Sequence, residues 1–128
     1  MKEIKSLVAG DLVCVNWNDA SIGKSLSNGL VGIDVPVKSF GVFVGVLGSK
    51  RRHVILAQNC FRYSDGLYDL DYVAVPVPWA TGATVVAAGF VDASEAGCLR
   101  NSFLVNEKEK NGKGRVCRCR QRRVRNHD

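Results

Sequence analysis

Several features that would assign this chain to a particular class of protein are missing from its sequence. No apolar run approaches the roughly 20 residues that a membrane-spanning helix needs. The short apolar stretch near the N-terminus is interrupted by Asp11, so we predict neither membrane association nor a signal peptide. Only two histidines are present, His53 and His127, which leaves few candidates for the base that an activated nucleophile requires. The sequence therefore predicts a non-enzymatic protein without a cofactor.

Cysteine occurs in an odd number and without the spacing of a secreted disulfide scaffold. This pattern favours reduced thiols and a cytoplasmic location. Cys14 and Cys60 lie in or beside predicted strands, where they are expected to be small core residues. A zinc site would have to combine His127 with Cys98, Cys117 and Cys119. Structural zinc sites usually pair their cysteines as C-x2–4-C, so we predict no metal site and free thiols in the C-terminal tail.

Charge is distributed unevenly along the 128 residues. Residues 1–106 contain nine basic residues (Lys and Arg) and nine acidic residues (Asp and Glu). Residues 107–128 contain nine basic residues but only three acidic ones. The formal net charge of +6 therefore belongs entirely to the C-terminal segment. The neutral body, in a chain that is 46% hydrophobic, can form a core of its own. A cationic tail is typical of a protein that binds a polyanion, or of a solubilising extension.

The first predicted strand is followed by an unusually long connection. Residues 11–17 alternate in polarity, with Val13, Val15 and Trp17 on one face, which predicts a half-buried strand. Residues 18–38 are rich in Asn, Ser and Gly and show no clear period. We expect a loop there, and loops of this length usually carry a function or move.

Four more strands are predicted in the following residues. Residues 40–58 are predicted to form a hairpin. The segment SFGVFVGVLG, residues 39–48, is apolar on both faces. Residues 72–79 alternate as a strand, but Pro76 and Pro78 lack N–H donors on the same strand edge, which predicts a position at the border of the sheet. Residues 82–90 supply the last strand. Five short strands in about eighty residues indicate a small, highly curved barrel.

A short helix is predicted after the strands. Asp92 can cap its first turn and Glu95 can reach back to the backbone, as in a capping box. Ala96, Leu99 and Phe103 follow at helical spacing and form one apolar face. The predicted organisation is a small β-barrel at residues 1–91, a helix packed on the barrel at residues 92–106, and a basic tail at residues 107–128.

Four segments carry a resemblance to a known group of proteins. In chain order they are VCVNWNDA, SFGVFVG, HVILAQ and PVPW. Their order resembles small SH3-like-barrel proteins of unknown function that are common in phages, prophages and plasmids. The resemblance covers residues 10–87 and omits the tail. It implies a five-stranded SH3-like barrel and a mobile-element context inside a host cell, and it implies no chemistry.

The basic residues form two groups that predict contacts with nucleic acid. Lys50, Arg51 and Arg52 lie at the tip of the predicted hairpin, although charges there could instead keep the flanking apolar strands from aggregating. In the tail, four arginines spaced three, four and three residues apart would line one face of a helix, as in segments that order on RNA or DNA. The tail residues expected to contact phosphates are Lys113, Arg115, Arg118, Arg120, Arg122, Arg123 and Arg125. We predict binding to DNA or RNA without sequence preference, the alternative being a disordered cationic tail without a ligand.

A second interpretation is a protein–protein interaction or structural assembly module. It would use the 18–38 loop and the aromatic 61–72 segment. Three carboxylates in or near that segment, those of Asp65, Asp69 and Asp71, could hold a cation, but their spacing fits no complete calcium loop. The oligomeric state is left open.

A phosphate-binding loop at Gly23-Lys24-Ser25 is not favoured. The motif needs a glycine where Asn18 stands, and a helix after the loop.

Overall fold

The structure is a computed structural model that describes residues 2–19 and 35–109, with side chains between residues 3 and 103 of those ranges. It is a mainly β chain with five antiparallel strands in one sheet and a helix after them, as the sequence predicts. The strand order is β4-β3-β2-β1-β5. In chain order the elements are α1 (Lys2–Lys5), β1 (Leu12–Asp19), β2 (Val35–Leu47), β3 (His53–Arg62), β4 (Tyr68–Pro76), a 3₁₀ helix (Val77–Trp79), β5 (Ala80–Ala87) and α2 (Ala93–Glu109).

The prediction of a loop at residues 18–38 is wrong at both ends. Asn18 and Asp19 still belong to β1, and β2 begins at Val35, where Asp19 and Val35 are paired. Val37 lies opposite Trp17, and this pairing of a β-branched with an aromatic residue favours the extended strand. The remainder of the predicted loop, residues 20–34, lies outside the described residues.

The predicted strand at residues 72–79 is wrong in its second half. β4 ends at Pro76, and Val77–Trp79 forms a 3₁₀ helix. Prolines at positions 76 and 78 have no N–H groups to offer a neighbouring strand, so the ladder stops and the Val77 N–H donates to the Arg52 carbonyl at 3.1 Å. The prediction that these prolines mark a sheet border is confirmed, because β4 is an outermost strand.

Two apolar clusters lie on opposite faces of the sheet. Members of the first include Val13 and Val15 of β1, and members of the second include Val42, Ile55 and Leu99. The second cluster forms because α2 packs against β2, β3 and β4 on one face of the sheet. We call this face the outer face, and we call the first cluster, on the opposite face, the inner cluster. The paired segments of β2 and β3 are therefore buried on both faces, as expected from a strand that is apolar on both sides.

Helix α2 starts as the sequence predicts but extends further. The Glu95 N–H donates to the Asp92 carboxylate at 2.9 Å, which caps the first turn. Ala96 and Leu99 are buried and Phe103 is half-buried. The Glu95 side chain accepts a hydrogen bond from the Tyr68 hydroxyl instead of closing a capping box. The helix ends at Glu109, three residues beyond the predicted boundary.

Gly97 offers a stabilising substitution within α2. A Cβ added there would have no heavy atom within 4 Å, and glycine inside a helix is unfavourable by roughly 0.5–1 kcal/mol relative to alanine. We expect Gly97→Ala to raise the free energy of unfolding by about that amount in urea titrations. Gly10→Ala is the contrasting control, because Gly10 has φ +100° and its Cβ would lie 2.4 Å from the Val91 carbonyl oxygen. A destabilising Gly97→Ala would contradict the helical environment described here.

Candidate nucleic-acid interface

The turn between β2 and β3 presents Lys50, Arg51 and Arg52 to solvent, and all three residues are exposed. Gly48 makes this turn possible. Its φ is +125°, and a Cβ there would lie only 2.0 Å from the Arg51 carbonyl oxygen. The Arg52 guanidinium donates to the Val46 carbonyl at 3.1 Å, which holds Arg52 along β2. We call residues 50–52 the basic turn.

A pocket of about 510 Å³ adjoins the basic turn on the outer face of the sheet. The Tyr72 ring meets the Phe103 ring edge-on, with centroids 4.5 Å apart, and Tyr72 is 51% exposed. His53 Nδ1 lies 3.1 Å from the Arg51 carbonyl oxygen, which links the pocket wall to the basic turn. The lining residues are Leu47, Gly48, Ser49, His53, Ile55, Tyr72, Ala74 and Phe103. We call this cavity the aromatic pocket.

A pair of tryptophans is joined to the basic turn through the 3₁₀ helix. The bond from the Val77 N–H to the Arg52 carbonyl fixes the start of this helix beside the turn. Trp79 at its end stacks on Trp17, with centroids 6.3 Å apart and planes 16° from parallel. The Trp17 indole N–H donates to the Ser39 hydroxyl at 2.9 Å. Trp17 is half-buried, so the predicted core face of β1 ends in a ring that is only partly covered.

The direction of α2 relates the predicted tail to the basic turn. Near its start, Glu95 contacts Tyr68 at the beginning of β4. Eight residues further along α2, Phe103 lines the aromatic pocket together with Gly48 and Ser49. Glu109 lies six residues after Phe103, a rise of about 9 Å along the helix. α2 therefore runs from the start of β4 toward the residues that directly precede the basic turn.

The remaining predicted contact residues cannot be placed in this arrangement, because they lie outside the described residues. These are Lys113, Arg115, Arg118, Arg120, Arg122, Arg123 and Arg125. The same holds for the Gly23-Lys24-Ser25 segment and for His127.

The cysteines differ from expectation. Cys60 was predicted to be a core residue, but it is exposed, because a register shift next to Gln58 carries the end of β3 away from the core. Partial burial, with a further contribution from Glu95, raises the pKa of the Cys60 thiol. Cys14 is half-buried with a free thiol. Cys98 is buried and disulfide-bonded, which departs from the predicted reduced thiol.

The acidic residues near the β3–β4 turn are engaged in local contacts. The Asp65 carboxylate accepts from the Leu67 N–H at 3.0 Å, and the Asp71 carboxylate accepts from the Asn59 amide at 3.3 Å. Among the side chains that the structure describes, no three of His, Cys, Asp or Glu come close enough to share a metal ion. The carboxylates thus act as turn and cross-strand acceptors.

Sequence reasoning found the basic turn but not the aromatic side chains around it. Tyr72 was assigned to an aromatic 61–72 segment, and Phe103 to a helix face. Their contact depends on the register that pairs Ala57 with Tyr72 and on the path of α2, neither of which local sequence specifies. The exposed aromatics of that segment are thus divided, with Phe61 and Tyr63 near the β3–β4 turn and Tyr72 in the aromatic pocket.

None of the helices within residues 2–19 and 35–109 has the length and apolar character needed to cross a membrane. No protein-family model, curated protein or solved structure matches the chain, so its interpretation rests on its own residues.

Proposed function

We propose that this chain is a non-enzymatic nucleic-acid-binding protein, an accessory of a mobile element that acts in the cytoplasm of a host cell. Phosphate contacts from the basic turn and the basic tail supply the affinity. The observation that carries the proposal is the direction of α2, which runs toward the exposed Lys50, Arg51 and Arg52, because its Phe103 lines one pocket with Gly48 and Ser49. Two cationic segments far apart in sequence can then engage one polyanion.

The chemistry of the two segments suits phosphate more than base recognition. Arginine pairs with phosphate oxygens through a planar fork of N–H donors, and lysine acts as a point charge. Such contacts position a protein on nucleic acid but carry no sequence information. We therefore propose binding to DNA or RNA without sequence preference.

We also propose that the sheet closes as a five-stranded SH3-like barrel. The 3₁₀ helix connects the two outermost strands, β4 and β5. Its Trp79 stacks on Trp17 of β1, and Val77 packs on the inner cluster. These contacts support closure around the cluster that contains Val13 and Val15.

Salt dependence tests the proposed phosphate contacts. If about six phosphates are neutralised, log K should fall against log salt with a slope near −5 on duplex DNA, because bound cations displace counterions. Lys50→Ala with Arg51→Ala, and separately Arg118→Ala with Arg122→Ala, should each flatten the slope by about two units. Fluorescence anisotropy of labelled duplexes at several salt concentrations measures these slopes.

The matched control is Lys5→Ala with Lys38→Ala, which removes the same charge from exposed positions on α1 and β2. This pair should leave the slope nearly unchanged, because neither lysine belongs to the basic turn. If the control pair flattened the slope as much as the turn pair, net charge alone would explain the attraction. Absence of any binding at low salt, about 50 mM, would overturn the proposed function.

A protein-interaction role is the second candidate. Phe61 and Tyr63 are 44% and 52% exposed beside the β3–β4 turn, next to the carboxylates of Asp65 and Asp69. This surface would suit a partner with apolar and cationic groups. Failure of nucleic-acid binding, combined with loss of a protein partner on Tyr63→Ala, would favour it.

A further inference from the structure

We propose that the aromatic pocket receives an unpaired nucleobase, so that the chain prefers single-stranded over duplex nucleic acid. This inference rests on the proposed function and names its substrate class. It follows from the juxtaposition of an exposed aromatic ring, two polar side chains and the basic turn around one cavity.

The pocket has the volume of a small-molecule site and an aromatic side chain in its lining. Its volume of about 510 Å³ lies within the roughly 300–1,000 Å³ that small-molecule sites occupy. Tyr72 is half exposed, and Phe103 holds its ring edge-on at 4.5 Å. A ring fixed in this way offers its free surface for stacking without first losing rotational freedom. Every base has a π face, so stacking of this kind tolerates any sequence.

Polar groups and cations are positioned around the same cavity. Ser49 and His53 are among the residues that line the cavity, and a hydroxyl and an imidazole are both groups that can hydrogen-bond to base edges. Lys50 follows Ser49 directly, and Arg51 is tied to His53 by its carbonyl oxygen. A strand whose base entered the pocket would thus bring its adjacent phosphates to the basic turn. Asp71, the acidic residue directly before Tyr72, uses its carboxylate to accept a hydrogen bond from the Asn59 amide.

A preference for single strands follows from the chemistry of pairing. Bases in a duplex are stacked and paired, so one must be extruded at a cost before it can enter the pocket. Phosphate attraction alone works in the opposite direction, because a duplex has the higher charge density and the steeper salt dependence. A measured preference for single strands therefore reports the base contact rather than the charge.

The test compares matched strands and matched tyrosines in the full-length chain. The probes are a labelled oligothymidylate of about 16 nucleotides, within known site sizes, an abasic strand of the same length, and a duplex, each as DNA, with oligouridylate as the RNA arm. Tyr72→Leu removes the ring but keeps an apolar group against Phe103, and Tyr72→Phe keeps the ring. Tyr63→Leu is the control, since Tyr63 is 52% exposed and lies at the β3–β4 turn.

We expect Tyr72→Leu to weaken binding of the oligothymidylate by about 5- to 140-fold, the range for one stacked base. Binding of the abasic strand and the duplex should be unchanged by this substitution. Tyr72→Phe and Tyr63→Leu should bind as the unsubstituted chain does, and thermal melts of all variants should confirm that they fold.

Two results would overturn the base pocket while leaving the proposed function intact. One is equal affinity of the unsubstituted chain for the abasic and the base-bearing strand. The other is a Tyr72→Leu effect that is the same on all probes, because a stacking contact must disappear when the base is absent. If no probe bound at low salt, the proposed function itself would fail, and the base pocket with it.

Discussion

Replacement of Trp17 by alanine is expected to lower the free energy of unfolding by about 3 kcal/mol. Replacing a fully buried tryptophan by alanine lowers the free energy of unfolding by roughly 3–5 kcal/mol. The lower value applies here because Trp17 is half-buried. The loss combines contact with the inner cluster, the stack on Trp79 and the hydrogen bond to the buried Ser39 hydroxyl. Equilibrium urea denaturation followed by far-UV circular dichroism measures the change.

Two further variants separate these contributions. Trp17→Phe keeps an aromatic ring but loses the indole N–H, so it should cost about 1 kcal/mol for the lost hydrogen bond, plus a small packing loss. A double-mutant cycle with Trp79→Ala should give a coupling energy of about 0.5–1.5 kcal/mol, as found for aromatic pairs. A cost below about 1 kcal/mol for Trp17→Ala would show that the indole is a surface group, which would favour the protein-interaction role.

Replacement of Asp11 by alanine should destabilise the protein by about 2–4 kcal/mol. Asp11 is 6% exposed, and its carboxylate accepts hydrogen bonds from the Gly89 N–H at 2.9 Å and the Val8 N–H at 3.3 Å. Hydrogen bonds to charged groups contribute about 1.5–3 kcal/mol each, and an unsatisfied buried donor adds a penalty. The carboxylate thus joins the segment before β1 to the segment between β5 and α2.

The controls for Asp11 vary charge and location. Asp11→Asn retains one oxygen acceptor and should lose about half as much stability. Asp65→Ala removes a carboxylate that accepts only a local N–H in an exposed turn, and surface changes of this kind usually alter the free energy of unfolding by no more than about 0.5 kcal/mol. Urea titrations that give similar costs for Asp65→Ala and Asp11→Ala would contradict the role of Asp11 as a link between the two segments.

Local patterns in the sequence were sufficient for much of the fold. The alternation at Val13 and Val15 predicts β1 because a strand places every second side chain on one face. Asp92 predicts the start of α2 because a carboxylate can satisfy the first free N–H groups of a helix. The prolines at positions 76 and 78 predict a sheet border for an equally local reason, the loss of two donors.

The features that local patterns did not predict depend on distant partners. Asp11 interrupts an apolar run in the sequence, but its stabilising bond is to Gly89, 78 residues away. The aromatic pocket requires the β3–β4 register and the path of α2 to be known together. Cys60 looked like a core residue because the register shift that exposes it leaves no local signature. Of the candidate site that the structure describes, the sequence therefore predicted only the basic residues Lys50, Arg51 and Arg52.

The burial of β2 and β3 on both faces limits where this protein can change during evolution. Between Val42 and Ala57, strand residues that point to either side enter an apolar cluster, as Val44 and Leu56 do. A new polar side chain there would lose its hydration without gaining a partner. The turn at residues 48–52 has no such constraint beyond Gly48. Single substitutions can thus accumulate at that turn while the strands that support it stay unchanged.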